Sequence, residues 1–438
     1  MQMKQKVLFV LALCISCNLL AQIFSSVAPS GQTLYYRINT WDTTATLTYE
    51  GGGWDGAYQG LTGSLVIPES VSYNGYTYPV AKIDSGCFRG NVGLTSVTIP
   101  IHMRQLCYNS FAGCTGLTTI NYNADSCALG WGYGAWDDAD NAGIFEGCVN
   151  VTTVNIGDSV RYVPPFVFYD CIGLQTLNVG ESVIRFHNDA LPYEPVNFTT
   201  LNFNARCCGS YYSNSSHESQ YYDYTSGDYR DFKEYSPFQG CTSLTNVTIG
   251  NEVEGLFSRF FWCCTGLTSV VIPDAVTSMK YCFAGCTNLN TVTIGSSVEQ
   301  IQHAFWYCSH LTTINVRAEY PPTCDEYTFN GVPSYADIIV PCGTAYRYEL
   351  TDYWNAFSRI TEDCDGIDNV EAIPDIKIDV KNGSVVVAGE NVSSFDVYDI
   401  TGRTVATVRQ GSRTQSLPNG VYMVRIGTLP ARKVVVIR

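Results

Sequence analysis

A chain of 438 residues, 45% hydrophobic and only 15% charged, carries apolar surface for two or three cores and lacks the make-up of a disordered chain. Its 25 basic and 40 acidic residues give a formal net charge of −15, so the basic footprint that nucleic acid requires is missing. Residues 1–21 read as an export signal. Lys4 and Lys6 precede a largely apolar run from Val7 to Leu20, and Ala21 offers a small residue before a cut at Gln22. A lipoprotein signal using Cys17 is the alternative. Cleavage removes two lysines from the −15 and leaves −17. No later apolar run reaches the roughly 18 residues of a membrane helix.

One phrase then dominates the chain. Phe111, Phe145, Phe168, Phe238, Phe261, Phe283 and Phe305 are each followed three residues later by a cysteine: Cys114, Cys148, Cys171, Cys241, Cys264, Cys286 and Cys308. An aliphatic residue follows after three more, then two apolar residues spaced two apart, as in Leu311, Ile314 and Val316. The cysteines lie 34, 23, 70, 23, 22 and 22 residues apart. A step of 22–23 plus an 11-residue insertion explains the 34. The 70 holds a copy without cysteine, at Leu201-Asn202-Phe203, and a second insertion. Another cysteine-less copy opens the array at Phe88, so nine copies span about residues 80–320. Apolar residues two apart share one side of a strand, which cannot bury that side alone. Stacked copies make a parallel sheet rising about 4.8 Å per copy, on the order of 40 Å for nine. A period in this range built on Leu-x-x-Val-x-Ile indicates a leucine-rich-repeat type of solenoid.

The phrase A-F-x-G-C-x-x-L-x-x-V-x-I-P-x-x-V-x-x-I over 80–320 resembles the BspA-like leucine-rich repeat family of bacterial surface proteins. Residues 64–83 and 336–362 resemble that family's usual lead-in and exit. This implies an N-terminal β cap over 22–79 and a C-terminal cap over 321–365. Residues 366–438 change character. SVVVAG, FDVYDITGR, LPNGVYMVRI and RKVVVIR alternate with turns at Thr401-Gly402 and Asn419-Gly420, the pattern of a small β-sandwich. The same phrases resemble the C-terminal sorting domain of type IX secretion cargo. That resemblance implies passage across an outer membrane, removal of the domain and attachment to the cell surface. The expected fold is a β-rich leucine-rich-repeat-like solenoid, a parallel sheet with short helical or turn corners, followed by a small C-terminal β-sandwich.

Catalytic chemistry has no signature. His102, His187, His217, His303 and His310 lie outside any HExxH or nucleophile-elbow context, and no CxxC follows the signal. The acidic run at 137–143 has the flavour of a calcium loop but no glutamate at its twelfth position. No enzyme, cofactor or metal is therefore expected. The repeat cysteines read as a buried ladder, with disulfides outside it among Cys324, Cys342 and Cys364. Outward strand positions form an uncharged Thr/Asn stripe that includes Thr119, Asn121, Thr291 and Thr293. Strand propensity explains it, or it is a hydrogen-bonding platform. The insertions, within 127–143 and 207–232, are rich in aromatic and small polar residues, as contact loops are. Their candidate ligand-binding residues are Trp131, Tyr133, Trp136, Tyr211, Tyr212, Tyr221, Tyr222 and Tyr224. The expected function is non-catalytic adhesion at the cell surface. The resemblance implies host extracellular proteins or other bacteria as partners, and secretion machinery acting on 366–438. A carbohydrate-capture module and a passive spacer are the alternatives.

Overall fold

Most copies of the repeat form one coil with two short strands and two bends, and the coils stack. The computed structural model describes residues 23–50, 57–107, 109–125, 128–130, 143–192, 195–206, 208–211, 220–223, 228–231, 236–256 and 258–364, then 377–381, 384–388, 394–399, 403–409, 413–426 and 432–436. The export signal expected at 1–21 lies outside them.

The first ladder of strands carries the Val-x-Ile phrase. Thr119–Tyr122, Thr153–Ile156, Thr176–Val179 and Thr200–Phe203 pair in parallel, with Ile120 beside Val154, then Leu177, then Leu201. Gly93–Ile99 precedes them and Asn246–Ile249 follows; Ser269–Val271, Thr291–Ile294 and Thr313–Val316 continue as a second block. Both caps extend this sheet: Thr62–Val66 joins at its start, Asp337–Pro341 and Arg359–Asp363 at its end. A slip of one residue would turn every buried side chain to solvent, so alternation holds the register. No strand pairing crosses from Asn246–Ile249 to Ser269–Val271. Pro273 there lacks the N–H that Gly250 gives to the Phe203 carbonyl one coil earlier (2.8 Å). The coils stay joined at the corner, where the Gly240 N–H donates to the Trp262 carbonyl (2.8 Å).

A second ladder runs behind the first. It comprises Tyr76–Ile83, Gln105–Cys107 and Ala128–Gly130, then Tyr162–Val163, Arg185–His187 and Gly209–Tyr211, then Ser278–Lys280, Gln300–Gln302 and Thr323–Cys324. Its first two blocks end where the insertions begin. Ahead of it, Ile23–Val27, Thr33–Asn39 and Thr44–Thr48 form an antiparallel cap whose last strand joins Tyr76–Ile83 in parallel.

Between the ladders the phenylalanines stack. Tyr58, Phe88, Phe111, Phe145 and Phe168 follow one another at 4.9–6.1 Å between centroids, and Phe261, Phe283, Phe305 and Phe329 at 5.5–6.0 Å. Trp354 of the C-terminal cap closes the column at 4.8 Å from Phe329. The cysteines do more than fill space. Five of the seven Sγ atoms donate to the Phe carbonyl of the preceding coil: Cys114 to Phe88 (3.0 Å), Cys148 to Phe111 (3.2 Å), Cys264 to Phe238 (3.0 Å), Cys286 to Phe261 (3.0 Å) and Cys308 to Phe283 (3.1 Å). Alanine would leave that contact unmade. Burial pushes the Cys148 and Cys308 thiols up to about 12, which keeps them protonated and inert. In the native protein a maleimide should therefore label half-buried Cys263 well before Cys114, Cys148, Cys286 or Cys308. Equal rates by peptide mass mapping would contradict a closed ladder. Of the three cysteines expected in disulfides, Cys342 and Cys364 are joined, tying the last two strands of the first ladder (Cα–Cα 4.9 Å).

Residues past 376 form two antiparallel sheets. Lys377–Lys381 pairs with Ser384–Ala388. Thr404–Val408, Phe395–Asp399, Gly420–Arg425 and Arg432–Val436 make the other, in that order. Val385 and Val387 of one sheet share a small core with Phe395, Val397, Tyr422 and Val424 of the other, separate from the solenoid core.

Candidate binding surface

Both insertions leave the second ladder and return at a Phe corner, before Phe145 and Phe238. These corners are three coils apart, about 14 Å at 4.8 Å per coil. The second insertion contains a hairpin, Gln220–Asp223 with Asp228–Asp231, whose register sets Tyr222 opposite Tyr229 and Tyr221 opposite Arg230. Tyr211 ends Gly209–Tyr211, which pairs with Arg185–His187. Trp131, Tyr133, Trp136, Tyr212 and Tyr224 lie outside the described residues, as does the acidic run at 137–142.

The Thr/Asn stripe is occupied by its own hydrogen bonds. Asn202 donates to the Asn178 Oδ1 (2.7 Å), Asn178 to Asn155 (2.6 Å), Asn155 to Asn121 (2.8 Å) and Asn121 to the Thr98 hydroxyl (3.1 Å). Thr291 donates to Asn290, and Thr293 accepts from Asn315 at 3.4 Å. Thr119 is half-buried beside Thr153. The stripe is thus an amide ladder that binds coil to coil. Asn178→Ala removes two of its bonds and should cost about 1–2 kcal/mol in chemical denaturation. A platform held free for ligand would lose nothing.

The corner edge offers more. The corners at Phe88, Phe111, Phe261, Phe283 and Phe305 bend through two left-handed residues, one two positions before the Phe and one two positions after; those at Phe145, Phe168, Phe238 and Phe329 have only one of the two. Glycine commonly fills the second, as at Gly113 (φ 70°) and Gly285 (φ 76°). The first is Gly86 and Asn109 in the early coils, but Phe166 (φ 57°), Arg259 (φ 62°), Tyr281 (φ 54°) and His303 (φ 51°) later. Bulky side chains there cost about 1–2 kcal/mol each relative to glycine. The last of them, Tyr281 and His303, belong to a second aromatic column, outside the core. Trp262 stacks on Tyr281 (5.7 Å), Tyr281 lies against His303 (4.5 Å), and His303 stacks on Tyr327 (4.6 Å). Trp306 meets His303 edge-on and stacks on exposed Tyr307 (5.0 Å). His303 Nδ1 lies 2.6 Å from Asp325. Burial alone would raise the Asp325 carboxyl; hydrogen bonds from the Thr328 hydroxyl and from His303 outweigh it and hold it below the usual range. The sequence carried a signal for this column in the run Arg259, Tyr281, His303, Tyr327 at one repeat position. Its meaning emerges only when residues 22–24 apart become neighbours.

Among the described residues, Cys342, Glu362 and Cys364 form a group of three potential metal ligands, but both sulfurs are committed to the disulfide. No described helix is long and apolar enough to cross a membrane.

In-register Leu-x-x-Val-x-Ile strands, a Phe column and a Cys ladder define a leucine-rich-repeat solenoid. The chain belongs to the BspA type leucine rich repeat family, which it matches in six copies over residues 77–130, 141–223 and 228–344, more than half its length. No curated protein matches it. Similar solved structures include a leucine-rich repeat protein from Bacteroides ovatus, at 16% identity over 70% of this chain and 77% of that one (TM-score 0.32). A leucine rich cell surface protein from Faecalibacterium prausnitzii is 19% identical over 77% and 94% (TM-score 0.27). The pneumococcal vaccine antigen PcpA is 13% identical over 78% and 98% (TM-score 0.29).

Proposed function

We propose that this chain is exported, displayed on a bacterial surface, and binds another protein through the corner edge of its solenoid without catalysis. The observation that carries this reading is the outer aromatic column, in which Arg259, Tyr281 and His303 occupy backbone positions that glycine would fill at less cost. Trp, Tyr and Arg are the residues in which binding energy concentrates, and side chains already stacked lose little entropy on binding. Both insertions return to the fold at corners of the same edge, before Phe145 and Phe238. Within the column the rings cover one another's faces and offer edges to a partner, and only the last ring, Tyr327, keeps one face uncovered; sugars stack on open faces, so a single such face favours carbohydrate capture less than protein binding. Host extracellular proteins and other bacterial surfaces are the partners the family suggests. Residues 366–438 serve as the secretion address and are removed on the way. Mass spectrometry of surface-released protein should find them gone, and an intact C-terminus there would rule out that step.

The test titrates the mature chain against immobilised fibronectin, fibrinogen, collagen, mucin and a glycan array. Saturable binding to a protein, weakened at least about tenfold by Trp306→Ala, is the expected result for a hot-spot residue. Binding to glycans alone would make the chain a carbohydrate module. Silence across the panel would favour a spacer.

A further inference from the structure

The outer column is finished at one end and open at the other. At the Trp262 end, the Arg259 guanidinium sits 4.6 Å over the Trp262 ring and 5.9 Å from Tyr281. The chain covers other outer rings the same way: Arg347 lies 4.1 Å over Tyr320, and Arg185 lies 5.7 Å over Tyr162. At the far end stands Tyr327, 39% exposed, with His303 on one face. No ring or cation follows it in the column among the described residues. Its immediate neighbours are the carboxylates Asp325 and Glu326. Asp325 is engaged by His303 and Thr328, whereas Glu326 is exposed and makes no salt bridge among the described residues. A hydrogen bond to Glu326, the charge of Glu326, burial and the charge of Asp325 all push the Tyr327 hydroxyl up, as a local negative field does.

From the open ring face beside an unpaired carboxylate we infer that the Tyr327–Glu326 end takes a cationic side chain, a guanidinium or ammonium group, from a partner protein. A cation over an aromatic face is attracted by the ring quadrupole, and the adjacent carboxylate adds its charge. The chain's net charge of −15 acts in the same sense at longer range, drawing basic partners and repelling acidic ones. The partner's contact segment is therefore rich in arginine or lysine. This inference rests on the protein-binding reading above and names the chemistry of its partner.

The experiment titrates the full mature chain calorimetrically, to millimolar concentration, with a short peptide bearing spaced arginines. The same peptide with citrulline supplies a neutral isostere, and one with glutamate an opposite charge. The arginine peptide should bind and the other two should not. Tyr327→Ala and Glu326→Gln should each weaken binding about two- to fivefold, the size of one exposed cation–ring contact and of one surface ion pair. Glu50→Gln, the same charge change at a distant exposed site, should leave it unchanged. Melting temperatures check that both column variants stay folded, which the exposure of Tyr327 favours. Equal affinity for arginine and citrulline peptides would overturn the inference. So would loss in Glu50→Gln matching that in Glu326→Gln, since bulk charge would then explain it, or an absence of binding. Arginine-specific binding with a silent protein panel would leave this inference standing and the broader reading fallen. Protein binding that ignores Tyr327→Ala would do the reverse.

Discussion

Phe283→Ala should destabilise the solenoid by about 3–5 kcal/mol, the cost of emptying a large aromatic site that cannot collapse. Phe283 is fully buried, with Phe261 5.5 Å away on one side and Phe305 5.9 Å away on the other. Its own carbonyl accepts the Cys308 thiol of the next coil. In a stacked array each coil contacts only its neighbours, so no distant part of the core can move in to fill the space. The outer column gives the contrast. Tyr281→Ala, two residues away on the exposed edge, should cost less than about 1 kcal/mol, because it loses only stacking at the surface and leaves the left-handed bend as it was. Urea denaturation of the mature chain measures both. Equal losses would mean that the outer column holds the fold together and is not set aside for a partner.

Acidification should destabilise the array through one histidine. His187 ends Arg185–His187 with its side chain only 8% exposed, and burial lowers its pKa from 6.5 to about 4. Its Nδ1 accepts the Asp189 backbone N–H at 3.1 Å. The same nitrogen cannot donate to the Asp189 carboxylate 3.6 Å away, so the pair is no ion pair. Burial also raises the Asp189 carboxyl, which agrees with a site that disfavours charge. A base whose pKa is lowered on folding contributes stability that is complete above its unfolded value, near 6.5. That stability is lost as the pH falls from there toward 4. The loss should be about 2 kcal/mol between pH 7 and pH 5, rising to about 3 kcal/mol near pH 4. The raised Asp189 works in the opposite direction as it takes up its proton and blunts the fall. His187→Asn keeps an acceptor for the Asp189 N–H and removes the titration. Its melting temperature should stay flat from pH 7 to pH 5 while that of the parent drops. Parallel slopes would move the acid sensitivity elsewhere.

Much of this was legible residue by residue. The Phe-x-x-Cys spacing placed Phe111 and Cys114 in the interior, and the Val-x-Ile alternation placed Ile120 and Tyr122 there as well. The cap segments carried their own rungs in SLVIP and ADIIVP, the same alternating pattern without the Phe-Cys corner. Function was less legible. Asn121, Asn155, Asn178 and Asn202 looked available to a ligand because a strand taken singly shows its outward amides to water. Stacking brings each amide within hydrogen-bond reach of the next, so the stripe also links coil to coil. The outer column was hidden for the converse reason. Tyr281, His303 and Tyr327 are scattered single aromatics in the chain, 22 and 24 residues apart, with nothing local to mark them.

The sequence by itself determined the coil: its period, its interior residues and the parallel stacking of its Val-x-Ile strands. A face of apolar residues two apart can be buried only against another copy of itself, so the repeat dictates the stack. The tertiary structure decided which outward residues remain available. Those at one repeat position meet only when neighbouring coils come about 4.8 Å apart, and left-handed bends aim them along a single edge.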